Sequence, residues 1–133
     1  FKNDNLIKVD AISNYFVLFA NLRNEDINNK IINKLKEYNS QNEYFFTTVN
    51  PKDKTFEETR YWRGPVWINS NWIVCQGLLD KDKNFSNLIK NKTLELLENK
   101  KFHEYYNYKT GECLGANNFS WSAALYLDLK LNN

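Results

Sequence analysis

The chain has no methionine, one histidine, two cysteines, two prolines and four glycines in 133 residues. Each scarcity removes a class of explanation. With a single His, a zinc site made from the chain's own Cys and His is not expected, and no other metal or cofactor is called for. Cys75 and Cys113 alone make no disulfide framework. Two unpaired thiols suit a reducing compartment, which favours the cytoplasm. No signal peptide is visible, and no apolar run approaches the length of a membrane span. The missing initiator suggests a processed chain, an expressed piece or the tail of something longer. Charge of one sign is also lacking: 18 basic against 16 acidic residues leave a net +2. That balance, with the basic residues scattered, argues against nucleic acid and against a membrane surface as partners. Gly111 and Gly115 follow no recognisable strand and form no phosphate-binding fingerprint.

What the chain does have is aromatic surface, at 16% of residues. The stretch "YWRGPVWINSNW" (61–72) places three Trp, a Tyr and an Arg within twelve positions. Aromatic faces beside a few planar donors suit a ligand that is both apolar and hydroxylated, as a sugar ring is. Helical periodicity predicts four further features. Residues 10–22 form an amphipathic helix with Ile12, Tyr15, Phe16, Phe19 and Leu22 inward. Residues 24–38 form a second, with Ile27, Ile31, Leu35 and Tyr38 on one face, and the two pack as a hairpin. Residues 84–99 present Phe85, Leu88, Ile89, Leu96 and Leu97 to the core. A last helix spans 119–130. Between them, Pro65 starts a helix running to 79. The segment 40–60 is an ordered loop rather than a linker, because Tyr44, Phe45, Phe46 and Phe56 are too apolar to stay in water. Residues 101–121 read as another loop. The expectation is an all-α domain of about five helices arranged as hairpins.

Glu104, in "FHEYYNY", is the leading carboxylate. It needs only to reach a water to serve as a general base; the bland alternative is an exposed loop Glu over packed aromatics. Glu112 is read as a solvated turn residue. His103 alternates with Glu104, so in extended backbone the two side chains point apart and make no dyad. Ser120 and Ser122 lack the elbow and the His partner of a nucleophilic hydrolase. Trp72 is expected in the core. Trp62 and Trp67, at the helix start, are the ligand candidates. Arg63 is either a structural ion-pair partner or a fork for sugar hydroxyls.

Three stretches in series, "YWRGPVWINSNW" (61–72), "FHEYYNYKTGECLG" (102–115) and "FSWSAALYLDL" (119–129), resemble the C-terminal part of glycoside hydrolase family 63. That family includes processing α-glucosidases and mannosylglycerate hydrolase, and the family 37 trehalases share a looser version. The resemblance implies an (α/α)6 toroid of helical hairpins around a sugar pocket, of which residues 1–133 would be the C-terminal portion. It implies inverting, α-glucosidase-like hydrolysis of an oligosaccharide or small α-glycoside, with Glu104 as general base. It places Tyr61, Trp62, Arg63, Trp67 and Asn69 at the −1 sugar site, with Trp121 closing the pocket. The family's general acid is an Asp in an earlier motif that has no counterpart here, so the N-terminal part of the barrel is the expected partner. The competing expectation is a non-catalytic all-α module that binds carbohydrate or completes a barrel.

Overall fold

The computed structural model describes residues 8–20, 22–38 and 42–132. Its first element is not the expected α-helix but a 3-10 helix, Ile12–Leu18. The buried residues are Ile12, Tyr15 and Leu18, a spacing of three that matches three residues per turn. Phe19 and Leu22, predicted inward, are 52% and 37% exposed. Ala11 is held extended by pairing with Val49, and Ile12 N–H bonds Thr48 O at 3.1 Å. Two β-branched residues and three aromatics among residues 12–19 add little intrinsic preference for the α form. Asn21, inside the predicted span, lies outside the described residues.

Helix α1, Glu25–Tyr38, begins where Asn24 Oδ1 accepts from Ile27 N–H at 3.0 Å, with Glu25 and Asp26 in the first turn. Such a cap satisfies one of the free N–H groups of a helix start. Its buried face keeps Leu35 and Tyr38 of the predicted one but begins one residue later: Asn28 and Ile32 point in, Ile31 packs partly buried against the core, and Ile27 is 45% exposed. Asn28 tolerates burial because its amide donates to Leu22 O at 2.8 Å. The 42–67 segment is ordered, as its aromatics require. Phe45, Phe46, Thr47, Thr48 and Val49 are all buried. Asn71, fully buried, fastens this segment to the helices, accepting from Phe46 N–H and donating to Thr93 Oγ1 at 3.1 Å.

Helix α2, Ile68–Leu78, starts three residues later than Pro65 suggests. The delay has a cause: Val66 is extended and paired with both Thr47 and Tyr106. Helix α3, Lys83–Lys100, is capped by Asp82, whose carboxylate accepts from Phe85 N–H at 3.0 Å. Leu88, predicted inward, is 50% exposed. Helix α4, Ser120–Leu131, closes the chain's order of elements.

The all-α expectation requires a correction in the segment read as a loop. His103–Tyr106 (β1) and Cys113–Asn117 (β2) form an antiparallel two-stranded sheet. Its tight connection is made by Asn107 Oδ1, which accepts from Lys109 N–H and Thr110 N–H. One core gathers Leu18, Leu35, Phe46, Val74, Leu78 and Ile89. A second, of Ile68, Leu96, Leu97 and Tyr106, lies under the hairpin and carries it. The molecule is mostly helical, with a small sheet placed where the candidate carboxylate sits.

Candidate active site

Glu104 occupies an irregularity in the hairpin. Register runs from Tyr105 opposite Leu114 to His103 opposite Asn117, so Gly115 and Ala116 together face Glu104. Two residues against one is a bulge, a device that re-aims a side chain and frees a backbone donor. Gly115 takes φ +69°, and a Cβ there would stand 2.7 Å from Glu104 Oε2 and 2.5 Å from the Tyr105 ring. Only glycine fits. The freed Ala116 N–H donates to Glu104 Oε2 at 3.1 Å. Tyr61 Oη donates to Glu104 Oε1 at 2.7 Å. Each carboxylate oxygen is thus oriented by one donor, and each retains a further lone pair for a water. The bond to Glu104 also pushes the Tyr61 phenol above its usual range, with partial desolvation adding to it.

Tyr61 belongs to an aromatic group. Its ring stands edge-on to Trp62, Trp67 and Tyr105, at centroid distances of 5.6, 4.9 and 5.3 Å. Trp67 stacks with Trp62 at 3.9 Å and 11°, and with Tyr105 at 5.1 Å and 22°. Trp67 is only 2% exposed, whereas Trp62 is 48% exposed. Of the two Trp picked out in the sequence, Trp62 offers a face, and Trp67 lies behind it, its Nε1 donating to Tyr61 O at 3.1 Å. Edge-to-face and offset contacts of this kind add stability beyond area burial, so the ring group is a stiff wall.

Arg63 is engaged with Glu57 at 3.4 Å, as is Arg60 at 2.8 Å. These pairs close the turn that delivers Tyr61 and Trp62. Gly64 is forced by the same turn, since a Cβ there would meet Glu57 O at 2.0 Å. Asn69 is half-buried in the first turn of α2, and its Oδ1 has no partner. It shares a small cleft with Trp62. Trp121 is 47% exposed at the start of α4, with its ring against Phe119. It is not among the rings that surround Tyr61. Next to it, Ser122 is buried and donates to His103 O at 2.7 Å, which fixes the base of β1 and commits this hydroxyl to the backbone. Glu112 is exposed beside the hairpin turn, at the far end of the strands from Glu104. Trp72, half-buried, donates to Asp128 at 2.6 Å on another side of α2.

A wider cleft of about 580 Å³ lies between residues 8–15, 34–38 and 50–53. Its acidic groups are already used. Asp10 accepts from Tyr15 and Asn50, and Asp53 accepts from Asp10 N–H. Among the described residues no three His, Cys, Asp or Glu side chains gather as metal ligands. Reading the sequence misses Gly115, Ala116 and Tyr105 as parts of the site. Gly115 is the one available signal, and it becomes legible only once β2 exists to be bulged.

Residues 1–122 match the family described as mannosylglycerate hydrolase MGH1-like glycoside hydrolase domain. The chain is 37% identical to a mannosylglycerate hydrolase of Thermus thermophilus over 91% of its own length and 29% of that protein. It is 34% identical to mannosylglycerate hydrolase MGH1 of Selaginella moellendorffii over 85% of its length and 23% of that protein. A crystal structure of GH63 mannosylglycerate hydrolase from Thermus thermophilus, in complex with Tris and D-glycerate, superposes with a TM-score of 0.83. It shares 36% identity, over 91% of this chain and 30% of that one. The chain therefore spans less than a third of the length of the curated relatives it matches. The names of these relatives carry mannosylglycerate, while a further relative, 33% identical over 61% of this chain, is a glucosylglycerate hydrolase of Mycolicibacterium hassiacum.

Proposed function

This chain belongs to the mannosylglycerate hydrolase MGH1-like glycoside hydrolase family, and from that premise we propose that it carries the general base and part of the sugar site of an inverting glycosidase. It would form one portion, residues 1–133, of an (α/α)6 barrel whose general acid is an Asp elsewhere in the barrel. The observation that supports this reading best is the double grip on Glu104, by Tyr61 Oη and Ala116 N–H, beside the exposed ring of Trp62.

In an inverting glycosidase the two carboxyl groups stand about 6.5–9.5 Å apart, with a water between the base and the anomeric carbon. Glu104 accepts a proton from that water as its oxygen attacks the anomeric carbon. The bond to the leaving oxygen breaks, and the acid gives that oxygen its proton. Fixed donors on both Glu104 oxygens hold the lone pairs in place, so little reorganisation is needed at the moment of attack. Trp62 stacks on the sugar, Asn69 and Trp121 complete its surroundings, and Arg63 acts on the site through its turn. Mannosylglycerate, or another α-glycoside of a small hydroxy acid, is the substrate that the relatives' names favour.

The test is proton NMR on the complete barrel supplied with α-mannosylglycerate. The first-formed sugar should be the β-anomer, and Glu104→Gln should lower kcat by about 10²–10⁴-fold, the usual worth of a general base. A first-formed α-anomer, or a Glu104→Gln protein of undiminished kcat, contradicts the assignment.

A further inference from the structure

Residues 57–63 form a turn closed on itself. Glu57 N–H donates to Arg63 O at 3.2 Å, and Glu57 O accepts from Arg60 N–H at 3.0 Å. The turn carries Tyr61 and meets the hairpin at two points. At the first, Tyr61 Oη donates to Glu104 Oε1 at 2.7 Å. At the second, just past the end of β1, Asn107 Nδ2 donates to Glu58 Oε1 at 2.9 Å. The two bonds close a ring between the turn and the hairpin. Phe56 extends the contact beyond Asn107, its ring edge-on to Tyr108 at 5.6 Å and 88°.

Asn107 is built to hold still. It is buried, its N–H donates to Glu112 O, and its carbonyl accepts from Gly111 N–H, both at 2.9 Å. Its Oδ1 accepts from Lys109 N–H and Thr110 N–H. An amide is planar, so an Oδ1 fixed on the hairpin turn aims Nδ2 the other way, where it meets Glu58. Glu58 is itself exposed, so this bond is not a requirement of the core. It matters for aim. A donor that serves a reacting carboxylate must be held within about 0.5 Å of its productive place. One exposed hydrogen bond is a weak tether, so the Tyr61–Glu104 bond depends on the turn behind it being fixed. Trp62, on the same turn, has its own support in the stack on buried Trp67.

We propose that Glu58 and Asn107 are positioning residues for the base: their hydrogen bond sets the turn against the hairpin and so keeps the Tyr61 hydroxyl on Glu104. This rests on the proposed glycosidase function. Both residues act through Tyr61.

The experiment measures kcat and KM for α-mannosylglycerate with the complete barrel. Glu58→Ala should lower kcat about fivefold, the share of one hydrogen bond, with KM within about twofold of the parent. KM holds because Trp62 keeps its stack on Trp67. Glu58→Gln retains an acceptor oxygen and should recover most of the parental kcat. Asn107→Asp keeps the acceptor of the two turn bonds but sets carboxylate against carboxylate, so it should resemble Glu58→Ala. Combined with Glu58→Gln, whose amide donates to the new carboxylate, it should recover. The deciding measurement is made in Tyr61→Phe. With the hydroxyl gone, adding Glu58→Ala should lower kcat by less than about twofold more, whereas independent effects would multiply.

The proposal is overturned if Glu58→Ala keeps the parental kcat, if the exchanged pair does not recover, or if the losses multiply in Tyr61→Phe. Glu104→Gln separates this proposal from the function it rests on. Loss of activity in Glu104→Gln beside a parental Glu58→Ala removes the clamp and leaves the base. Undiminished kcat in Glu104→Gln removes both.

Discussion

Tyr61 and Glu104 stand 43 positions apart in the chain, yet the phenol donates to the carboxylate at 2.7 Å. The bond joins the two stretches that carry most of the site, and it gives Tyr61 a task other than touching sugar. Tyr61→Phe keeps the ring contacts and deletes only the donor. In the complete barrel, kcat should fall about tenfold or more while KM stays within about twofold, the signature of an interaction that matters in the transition state. Melting of the variant should match the parent, because the lost bond is exposed. A raised KM with unaltered kcat would show instead that the hydroxyl binds substrate directly.

Gly115 should tolerate no side chain, although it carries none of the site's chemical groups. Gly115→Ala puts a methyl within 3 Å of Glu104 Oε2 and the Tyr105 ring, in a backbone conformation that L side chains rarely adopt. The carboxylate must move or the bulge must flatten. Activity in the complete barrel should drop at least as far as with Tyr61→Phe, and near-ultraviolet circular dichroism should report a disturbed aromatic group. An Ala variant with parental activity and spectrum would mean that the bulge is not what aims Glu104.

The alkaline side of the stability profile should be set by buried phenols. Tyr106 is fully buried; its hydroxyl donates to Lys101 O at 2.7 Å and accepts from His103 N–H at 2.8 Å. Burial is the first cause that pushes its pKa up from 10.0 to about 12. The native state therefore holds a proton that the unfolded chain releases near the ordinary tyrosine value. This contribution is fully present below pH 10 and is lost as pH rises through about 12. While the native state alone keeps the proton, the slope is about −1.4 kcal/mol per pH unit. Tyr15 and Tyr38 are raised further, again by burial first, and act in the same direction. Urea unfolding between pH 9 and 11 should show stability falling above 10, and Tyr106→Phe should fall less steeply. Equal slopes would place the titrating group elsewhere.

Long periodic elements were legible in the sequence because their pattern is local. Helices α1, α3 and α4 lie within two residues of the predicted spans. The 12–18 segment was not, since spacing of three and four fits both helix types until pairing of Ala11 with Val49 is known. The hairpin was missed for the same reason. Four residues of β1 carry too little alternation to be seen, and their pairing depends on Val66, which is remote in sequence. The motif residues Tyr61, Trp62 and Glu104 do meet at one place. That Trp67 lies behind Trp62, and that Arg63 turns to Glu57, are matters of three-dimensional stacking and charge that no spacing rule expresses.

Val66 and Tyr106 exchange two backbone hydrogen bonds, N–H to O at 2.8 and 2.9 Å. This small ladder rivets the segment bearing Trp62 to the strand bearing Glu104. A displacement of either one carries the other with it, so the gap between the Trp62 ring and Glu104 is not a quantity that a flexing loop can tune. If the proposed site holds a substrate, Trp62 and Glu104 meet it as one rigid block, the anvil rather than the jaw.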